Sequence, residues 1–274
     1  MLDRRSRFVI TAMAFAFAFL YIPIVSVVVY SFNESRLVTV WSGFSLKWWR
    51  ELLDHDDMVS AALASLQVAV VSASCAVVLG TFAGVTLARY RRFRGRTFFT
   101  GLITAPLVMP EVIMGISMLL LFVLLQNLTG WPERGFTTVA IAHITFTMAY
   151  VAVIVQSRLV SFDYALEEAA QDLGARPAKV FFVITLPIIA PALVSGWLLS
   201  LTLSLDDLVI TQFATGPDYT TLPMVVYSSV RRGVSPEINV LASIIVGLVT
   251  VGIVLATLIM QRRQRRRRRE ARTA

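Results

Sequence analysis

The sequence predicts an all-α integral membrane protein with six transmembrane helices and both termini in the cytoplasm. Of its 274 residues, 57% are hydrophobic and only 15% are charged, and the mean hydropathy is +0.72. Soluble domains carry closer to a quarter charged residues. The apolar runs are long and do not alternate with polar residues, which is typical of membrane-spanning helices.

The first predicted span covers residues 8–32. It is too long for a secretory signal peptide and its small residues lie inside it, so we expect an uncleaved helix. A polar segment, 33–58, follows. It contains an amphipathic stretch, 46–53, whose Trp48 and Trp49 suit a membrane interface.

Five further apolar runs complete the predicted set, and polar, basic or turn-forming loops separate them. The third predicted span is interrupted by Pro106 and Pro110. The predicted spans are residues 60–87, 98–125, 135–156, 188–213 and 238–260.

The distribution of basic residues predicts the orientation. The N-terminus, the loops 88–97 and 157–187 and the C-terminal tail hold 19 of the 25 Lys and Arg residues, and the opposite loops hold six. Because cytoplasmic loops carry the excess of Lys and Arg, we expect these four segments in the cytoplasm. The basic tail is predicted to contact anionic lipid rather than nucleic acid.

No motif for covalent chemistry is present. The sequence has no phosphate-binding glycine loop and no His/Cys metal pattern, and Cys75 is its single cysteine. We therefore expect that the chain is not an enzyme and that it binds no metal or cofactor itself.

Three acids fall within predicted spans, and no Lys or Arg inside a span can pair with them: Glu111, Asp206 and Asp207. A charge at the bilayer centre costs roughly 2.5–3.5 kcal/mol, so we expect these acids to have a function. Acids without intramembrane bases favour a cationic substrate. A linear diamine suits carboxylates separated by apolar or aromatic surface, which Phe213 and Tyr227 can supply.

Asp207 is predicted to face the substrate path, with Asp206 as the second candidate about 100° further round the helix. The helical spacing places five small or polar residues on one stripe of the fifth span: Gly196, Ser200, Ser204, Asp207 and Thr211. Such a stripe faces a helix interface or an aqueous path. The alternative is that the two acids are structural and hydrogen-bond to neighbouring helices.

Glu111 directly follows Pro110 and is predicted to lie near mid-membrane in a broken helix, as in a cation path. The alternative is a packing kink with Glu111 satisfied locally. His143, in the fourth span, is predicted to be a hydrogen-bonded interior histidine.

The longest polar interruption with helix signals is the segment 163–187. Asp163 is the predicted N-cap of a short helix, and Gly174 its end. Leu166, Ala169, Ala170 and Leu173 form one apolar face of that helix. A second short helix is predicted to begin near Pro177 and to end at Pro187.

This segment resembles the EAA loop of bacterial ABC-importer permeases. The matching positions are Glu168, Ala169, Ala170, Gly174, Ile184, Leu186 and Pro187. The resemblance implies a coupling helix that docks on a cytoplasmic ATPase. The alternative is an amphipathic linker helix without a partner.

Nearly the whole chain resembles the permease subunits of bacterial polyamine ABC importers, most closely the putrescine type; the basic tail lies outside the resemblance. The stretches that carry it are Tyr30–Asn33, Leu37–Trp41, Ala105–Glu111, Lys179–Pro187, Ser204–Ile210 and Pro236–Asn239.

The resemblance implies a MetI-like type I permease in the bacterial inner membrane, with a shared core at 61–257. Residues 1–60 would add the first span and an outer loop, and residues 258–274 a basic tail. The implied partners are a second permease, two ATPase subunits that bind ATP and Mg²⁺, and a periplasmic polyamine-binding protein.

Three alternatives remain open at this stage. The same permease architecture could serve another cargo, such as spermidine, ferric iron or thiamine. The chain could be an ion-coupled carrier with the acids as proton sites, although six spans without a visible inverted repeat disfavour this. It could also be a structural subunit of a membrane assembly, which would leave the buried acids without a purpose.

Overall fold

The computed structural model describes residues 4–37, 40–52, 56–90, 92–233, 235–251, 254 and 258. Within these residues the secondary structure is helical, apart from one β-bridge between Asn33 and Phe44. The chain divides into two compact units, one of residues 60–225 and one of residues 1–59 with 226–274. The all-α class is confirmed; residues 259–274 of the basic tail lie outside the described residues.

Twelve helices can be assigned within the described residues. A π-helical turn, Phe181–Thr185, joins the eighth to the ninth. In chain order they are α1 (Arg4–Tyr30), α2 (Lys47–Glu51), α3 (Asp56–Arg89), α4 (Arg96–Val108), α5 (Glu111–Thr129), α6 (Phe136–Val160), α7 (Ala165–Asp172), α8 (Pro177–Val180), α9 (Leu186–Asp206), α10 (Val209–Ala214), α11 (Leu222–Arg232) and α12 (Pro236–Val251).

Five described helices are long and apolar enough to cross a membrane. The sixth predicted span corresponds to α12, a shorter apolar helix, and residues 252, 253, 255–257, 259 and 260 of that span lie outside the described residues. The five helices are Phe8–Tyr30, Asp56–Arg89, Glu111–Thr129, Phe136–Val160 and Pro177–Asp206.

The core of the unit 60–225 centres on α6. Val139, Phe146, Val151 and Val155 of this helix are buried on several of its sides. Neighbouring helices α4, α9 and α10 pack around it. A helix that is apolar all round is a buried helix, so the sequence of α6 suits this central place.

Two glycines let α3 lie directly against α6. A Cβ atom added to Gly80 would lie 2.6 Å from Val151 Cβ, and one added to Gly84 would lie 2.7 Å from the Ala152 carbonyl oxygen. Glycines four residues apart commonly mark close helix contacts in membranes. The pair therefore sets the distance between α3 and α6, and the sequence analysis did not identify it.

The predicted third span, 98–125, is interrupted as expected, but at only one of its two prolines. Met109 is extended, with ψ 137°, and Pro110 is the N-cap of α5, so α4 and α5 are separate helices. A residue before proline is disfavoured in the α region, which ends α4 at this point. Pro106 lies inside α4 and does not break it. Glu111 consequently begins α5, directly after the break.

The predicted fifth span, 188–213, has different ends. The helix is continuous from Pro177 to Asp206 through the π-helical turn. Pro187 does not end a helix but lies in the first turn of α9, where a missing N–H is tolerated. At the other end the helix stops at Asp206, seven residues before Phe213.

In the other unit, the segment after α1 is held by Asn33. Its Nδ2 donates to the Val40 carbonyl at 2.7 Å, and its Oδ1 accepts from the Ser42 amide at 2.9 Å. The predicted amphipathic stretch forms α2, but its tryptophans are not free interface residues. Trp48 is buried, and Trp49 stacks on a phenylalanine ring of the same unit.

Candidate functional site

The break after α9 is the main irregularity in the fifth span. Asp207 is extended, with ψ 122°, and α10 begins two residues later. The Asp207 carboxylate accepts hydrogen bonds from the amides of Ile210, at 3.3 Å, and Thr211, at 2.7 Å. These amides begin a helix and lack partners within it, so the aspartate stabilises the start of α10.

A buried histidine holds both sides of this break. His143 Nδ1 lies 2.6 Å from Ser204 Oγ, while Nε2 lies 2.9 Å from Thr211 Oγ1 and 3.2 Å from Asp207 Oδ2. All four side chains are buried. The prediction of a hydrogen-bonded interior histidine is confirmed, and its partners come from α9, from the break and from α10.

The stripe predicted on the fifth span faces a helix interface. Gly196, Ser200 and Ser204 of α9 are buried, and a Cβ on Gly196 would lie 3.4 Å from Val151 Cγ1 of α6. The spacing therefore identified the buried face of α9, and that face packs against α6.

The order of the two aspartates differs from the prediction. Asp207 is only 8% exposed and turns towards His143, whereas Asp206 is exposed. The helical wheel assumed that the helix continues through Asp207. Because it ends at Asp206, the angle expected between the two side chains does not apply. Of the two aspartates, Asp206 is therefore the exposed one.

Glu111 is the second exposed acid of the predicted path. It begins α5, one turn before Gly115, where a Cβ would lie 2.5 Å from Phe213 Cδ2. Phe213 of α10 therefore packs on α5 close to Glu111. Glu111 and Phe213 are 102 positions apart in sequence (213 minus 111), but the fold places them on adjoining helices.

An apolar groove of about 220 Å³ lies between α4 and α5, on either side of the break at Pro110. Its lining includes Pro106, Met109, Met114 and Met118. Methionine side chains are flexible and polarisable, so they adapt to methylene groups of varied position. The groove is thus lined by residues that precede and follow Glu111 in sequence, including Met109 and Met114.

The C-terminal end of α10 is fixed by residues that the sequence analysis missed. Arg134 Nη2 donates to the Thr215 carbonyl at 2.7 Å, and Thr138 Oγ1 donates to the Ala214 carbonyl at 2.7 Å. Gly216 passes so close that a Cβ would lie 2.2 Å from the Arg134 carbonyl oxygen. The α10 helix is therefore anchored at both ends, and only Gly216, in a turn sequence, hinted at this.

Tyr219 holds the turn after α10 in place by a hydrogen bond and a ring contact. Its hydroxyl donates to the Ala64 carbonyl at 3.1 Å, and its ring meets Phe136 edge-on. Burial raises the pKa of the Tyr219 phenol to about 12. The phenol therefore stays neutral, and remains a donor, throughout the physiological pH range.

Tyr227, the other aromatic residue predicted on the path, lies on α11. The guanidinium of Arg231 is 5.1 Å from the centre of its ring, within cation–π range. A ring face of Tyr227 is therefore already occupied by a cation of the same helix. Its role in the path stays a prediction.

The first helix predicted in the segment 163–187 is present, and the second begins at Pro177 as predicted but continues beyond the segment. Gly174 has φ +83° and ends α7. Asp163 is not the N-cap residue itself, because α7 begins at Ala165, but its Oδ1 accepts from the Ala165 amide at 3.1 Å. Asp163 thus supports the first turn from one position further out.

The residues matched to the coupling motif divide into an exposed and a packed group. Glu168, Ala169, Gly174 and Pro187 are exposed, and Ala170 is half-buried. Ile184 and Leu186 pack against a buried cluster that includes Leu159 and Ile189. The apolar face of α7 is turned outwards, with Leu173 90% exposed and Leu166 50% exposed.

Comparisons with known proteins agree over most of the chain. Residues 76–270 match the family described as binding-protein-dependent transport system inner membrane component. The putrescine transport system permease protein PotI of Escherichia coli strain K12 is 55% identical over 271 residues, which are 98% of this chain and 96% of PotI. The spermidine/putrescine transport system permease protein PotC of the same strain is 44% identical over 239 residues, 87% of this chain and 88% of PotC.

Solved structures share the fold at low sequence identity. A bacterial ABC transporter involved in the import of the acidic polysaccharide alginate superposes with a TM-score of 0.65 at 15% identity, over 95% of this chain and 98% of that one. The methionine transporter MetNI gives a TM-score of 0.59 at 17% identity, over 73% and 92%. The expected MetI-like permease fold is confirmed. The chain belongs to the family of inner membrane components of binding-protein-dependent transport systems.

Proposed function

We propose that this chain is the permease subunit of an ATP-driven polyamine importer and that putrescine is its cargo. The observation that carries the proposal is the 55% identity to a putrescine permease over 98% of the chain. The charges of the candidate path agree with a cationic cargo. Asp206 and Glu111 are exposed, and no Lys or Arg lies within a span away from its ends.

Putrescine is a chain of methylenes with an ammonium group at each end. Two exposed carboxylates suit the two charges, and the ring of Phe213 and the methionine-lined groove suit the methylenes between them. Asp207 adds negative charge behind Asp206 and holds the break that ends α9. In this proposal Asp206 and Glu111 contact the cargo, and Asp207 fixes the end of α9 at which Asp206 lies.

The transport cycle requires partners. A second permease completes the path, two ATPase subunits bind ATP and Mg²⁺, and a periplasmic polyamine-binding protein delivers the cargo to the outer loops, 33–58 and 214–236. The outward apolar face of α7, with Leu166 and Leu173, is the surface that an ATPase groove would cover. This chain then performs no covalent chemistry; it moves as a body and switches access to the path.

The test is uptake of radiolabelled putrescine into vesicles that contain the assembled complex and internal ATP. We expect uptake that depends on ATP hydrolysis and on the binding protein, with unlabelled putrescine competing better than spermidine. Competition in which spermidine wins would assign the cargo of the PotC-like relatives instead. Uptake that persists without the ATPase subunits would support an ion-coupled carrier and would refute the proposal.

A further inference from the structure

Two neighbouring glutamates of α7 have opposite environments. Glu168, which belongs to the coupling motif, is exposed, whereas Glu167 is only 5% exposed. Successive residues of a helix point about 100° apart, so the two carboxylates serve different surfaces. Glu168 faces outwards, where a partner would dock, and Glu167 faces the chain itself.

Glu167 contacts one residue at the end of α3 and one in the π-helical turn before α9. Arg89 Nη2 donates to Glu167 Oε1, and it also donates to Thr185 Oγ1 at 3.1 Å. The Thr185 hydroxyl in turn donates to Glu167 Oε1. Each pair of the three side chains is therefore in contact, and Thr185 is fully buried.

The three residues lie where the coupling segment meets two membrane helices. Arg89 is the last residue of α3, and Thr185 is the last residue of the π-helical turn that leads into α9. Glu167 lies in the first turn of α7. One carboxylate thus ties α7 to the ends of two helices on the side of the coupling segment.

Apolar packing does little to hold α7, because its apolar face is directed outwards. Leu166 and Leu173 contribute exposed surface rather than core contacts. On the inner side, Glu167 is the only residue of α7 that is buried. The attachment of α7 to the rest of the chain therefore depends on a charged contact between the buried Glu167 and the partly exposed Arg89. Such a contact is specific in geometry and sensitive to loss of either partner.

We propose that Arg89, Glu167 and Thr185 form a coupling latch that makes α7 move as one body with α3 and α9. Glu167 is in this view a positioning residue: it transmits the movement of the coupling helix and does not contact the ATPase. The inference rests on the proposed function, since it assumes that an ATPase moves α7.

The latch predicts how charge changes affect coupling. Glu167→Gln keeps the shape of the side chain and an accepting oxygen but removes the charge, so the contact with Arg89 weakens and α7 is tied less firmly to α3 and α9. Exchanging the two charges, in Arg89→Glu with Glu167→Arg, retains the pair. The Thr185 hydroxyl can serve the exchanged pair as well, because a hydroxyl both donates and accepts.

The experiment measures ATP hydrolysis and putrescine uptake by the same vesicles, normalised to the amount of assembled complex. Glu167→Gln is expected to raise the number of ATP molecules hydrolysed per putrescine imported several-fold, and the charge exchange is expected to bring that ratio most of the way back. The control is Asp163→Asn, which removes an exposed charge near α7 but keeps the oxygen that accepts from Ala165. We expect its ratio to equal that of the wild type.

An unchanged ratio in Glu167→Gln would overturn the latch. A parallel fall in assembled complex, hydrolysis and uptake, with no change of the ratio, would do so as well, because it would indicate a purely structural role. A second measurement does not depend on the cargo: amide hydrogen exchange in α7 of the purified complex should be faster in Glu167→Gln and slower again in the charge exchange. If the wild type imports no putrescine, the proposed cargo fails, and unchanged exchange in Glu167→Gln would then overturn the latch by itself.

Discussion

His143 connects elements that would otherwise separate at the break in the fifth span. Its two ring nitrogens contact Ser204, Asp207 and Thr211, and all four residues are buried. A buried polar group that loses its partner is penalised more heavily than the bond itself is worth. The network therefore stabilises one arrangement of α9 and α10 against α6.

We expect His143→Phe to lower the free energy of unfolding by about 1–3 kcal/mol, because the ring shape is kept while buried hydroxyl and carboxylate groups lose a partner. Unfolding of the purified protein in mixed detergent micelles measures this. Thr145→Val is the control, since the Thr145 hydroxyl bonds only to the Ile141 carbonyl of its own helix. Equal stability of the two variants would show that the network contributes nothing.

For single residues, the sequence predicted which ones are buried and hydrogen-bonded better than it predicted which way the acidic side chains point. The interior role of His143 and the buried stripe of α9 follow from helical spacing. The inward turn of Asp207 does not, because it depends on the helix ending one residue earlier. The inward turn of Glu167 depends likewise on Arg89, which lies 78 positions away in sequence.

At the scale of elements, close approaches decide how the helices pack. Phe213 of α10 lies on Gly115 of α5, and α3 meets α6 at Gly80 and Gly84. Glycine weakens a helix by roughly 0.5–1 kcal/mol relative to alanine, and at these contacts it provides the space for the neighbouring helix. The two breaks, at Pro110 and at Asp207, then set where α5 and α10 begin.

Gly115→Ala should destabilise the contact between α5 and α10, because the added Cβ would lie 2.5 Å from Phe213 Cδ2. Adding Phe213→Ala makes room, so the double variant should lose less stability than the sum of the two single variants, with a coupling energy of roughly 0.5–3 kcal/mol. Unfolding in micelles again measures the effect. The control is Gly101→Ala: Gly101 has open space around it, so we expect a neutral or slightly favourable change in stability. Strictly additive effects of Gly115→Ala and Phe213→Ala would refute the contact.

Helices were predictable where the hydropathy is uniformly high, but their ends were less predictable where the backbone departs from regular α-helix. The long apolar runs indicated the five described membrane helices, and Gly174 correctly ended α7. Of the three prolines that were predicted to interrupt or end a helix, Pro106 and Pro187 lie inside helices and Pro110 separates two. Tertiary packing and a π-helical turn, which leave no local sequence signal, account for the difference.

At the scale of the whole molecule, the arrangement of charge suggests the orientation. The segments that hold 19 of the 25 basic residues include the one with the coupling motif. The coupling helix would therefore lie on the cytoplasmic side, where an ATPase is available. An even number of spans would place both termini on that side.

Reporter fusions test this orientation. We expect green fluorescent protein to fluoresce when fused to either terminus, and alkaline phosphatase to be active when inserted in the loop that contains Glu133, since the first folds in the cytoplasm and the second in the periplasm. An active phosphatase at the C-terminus would mean an odd number of spans and would contradict the six-span prediction.

The central claim is that a cationic polyamine passes an exposed acid at the end of α9. The most direct measurement is the rate of ATP-dependent putrescine uptake by vesicles that contain wild-type, Asp206→Asn or Glu133→Gln complexes. We predict that Asp206→Asn slows uptake roughly tenfold, which corresponds to about 1.4 kcal/mol, while complex assembly stays normal. Glu133→Gln removes an exposed acid outside the path and should leave uptake unchanged. Wild-type rates in both variants would contradict the claim that Asp206 lies on the path.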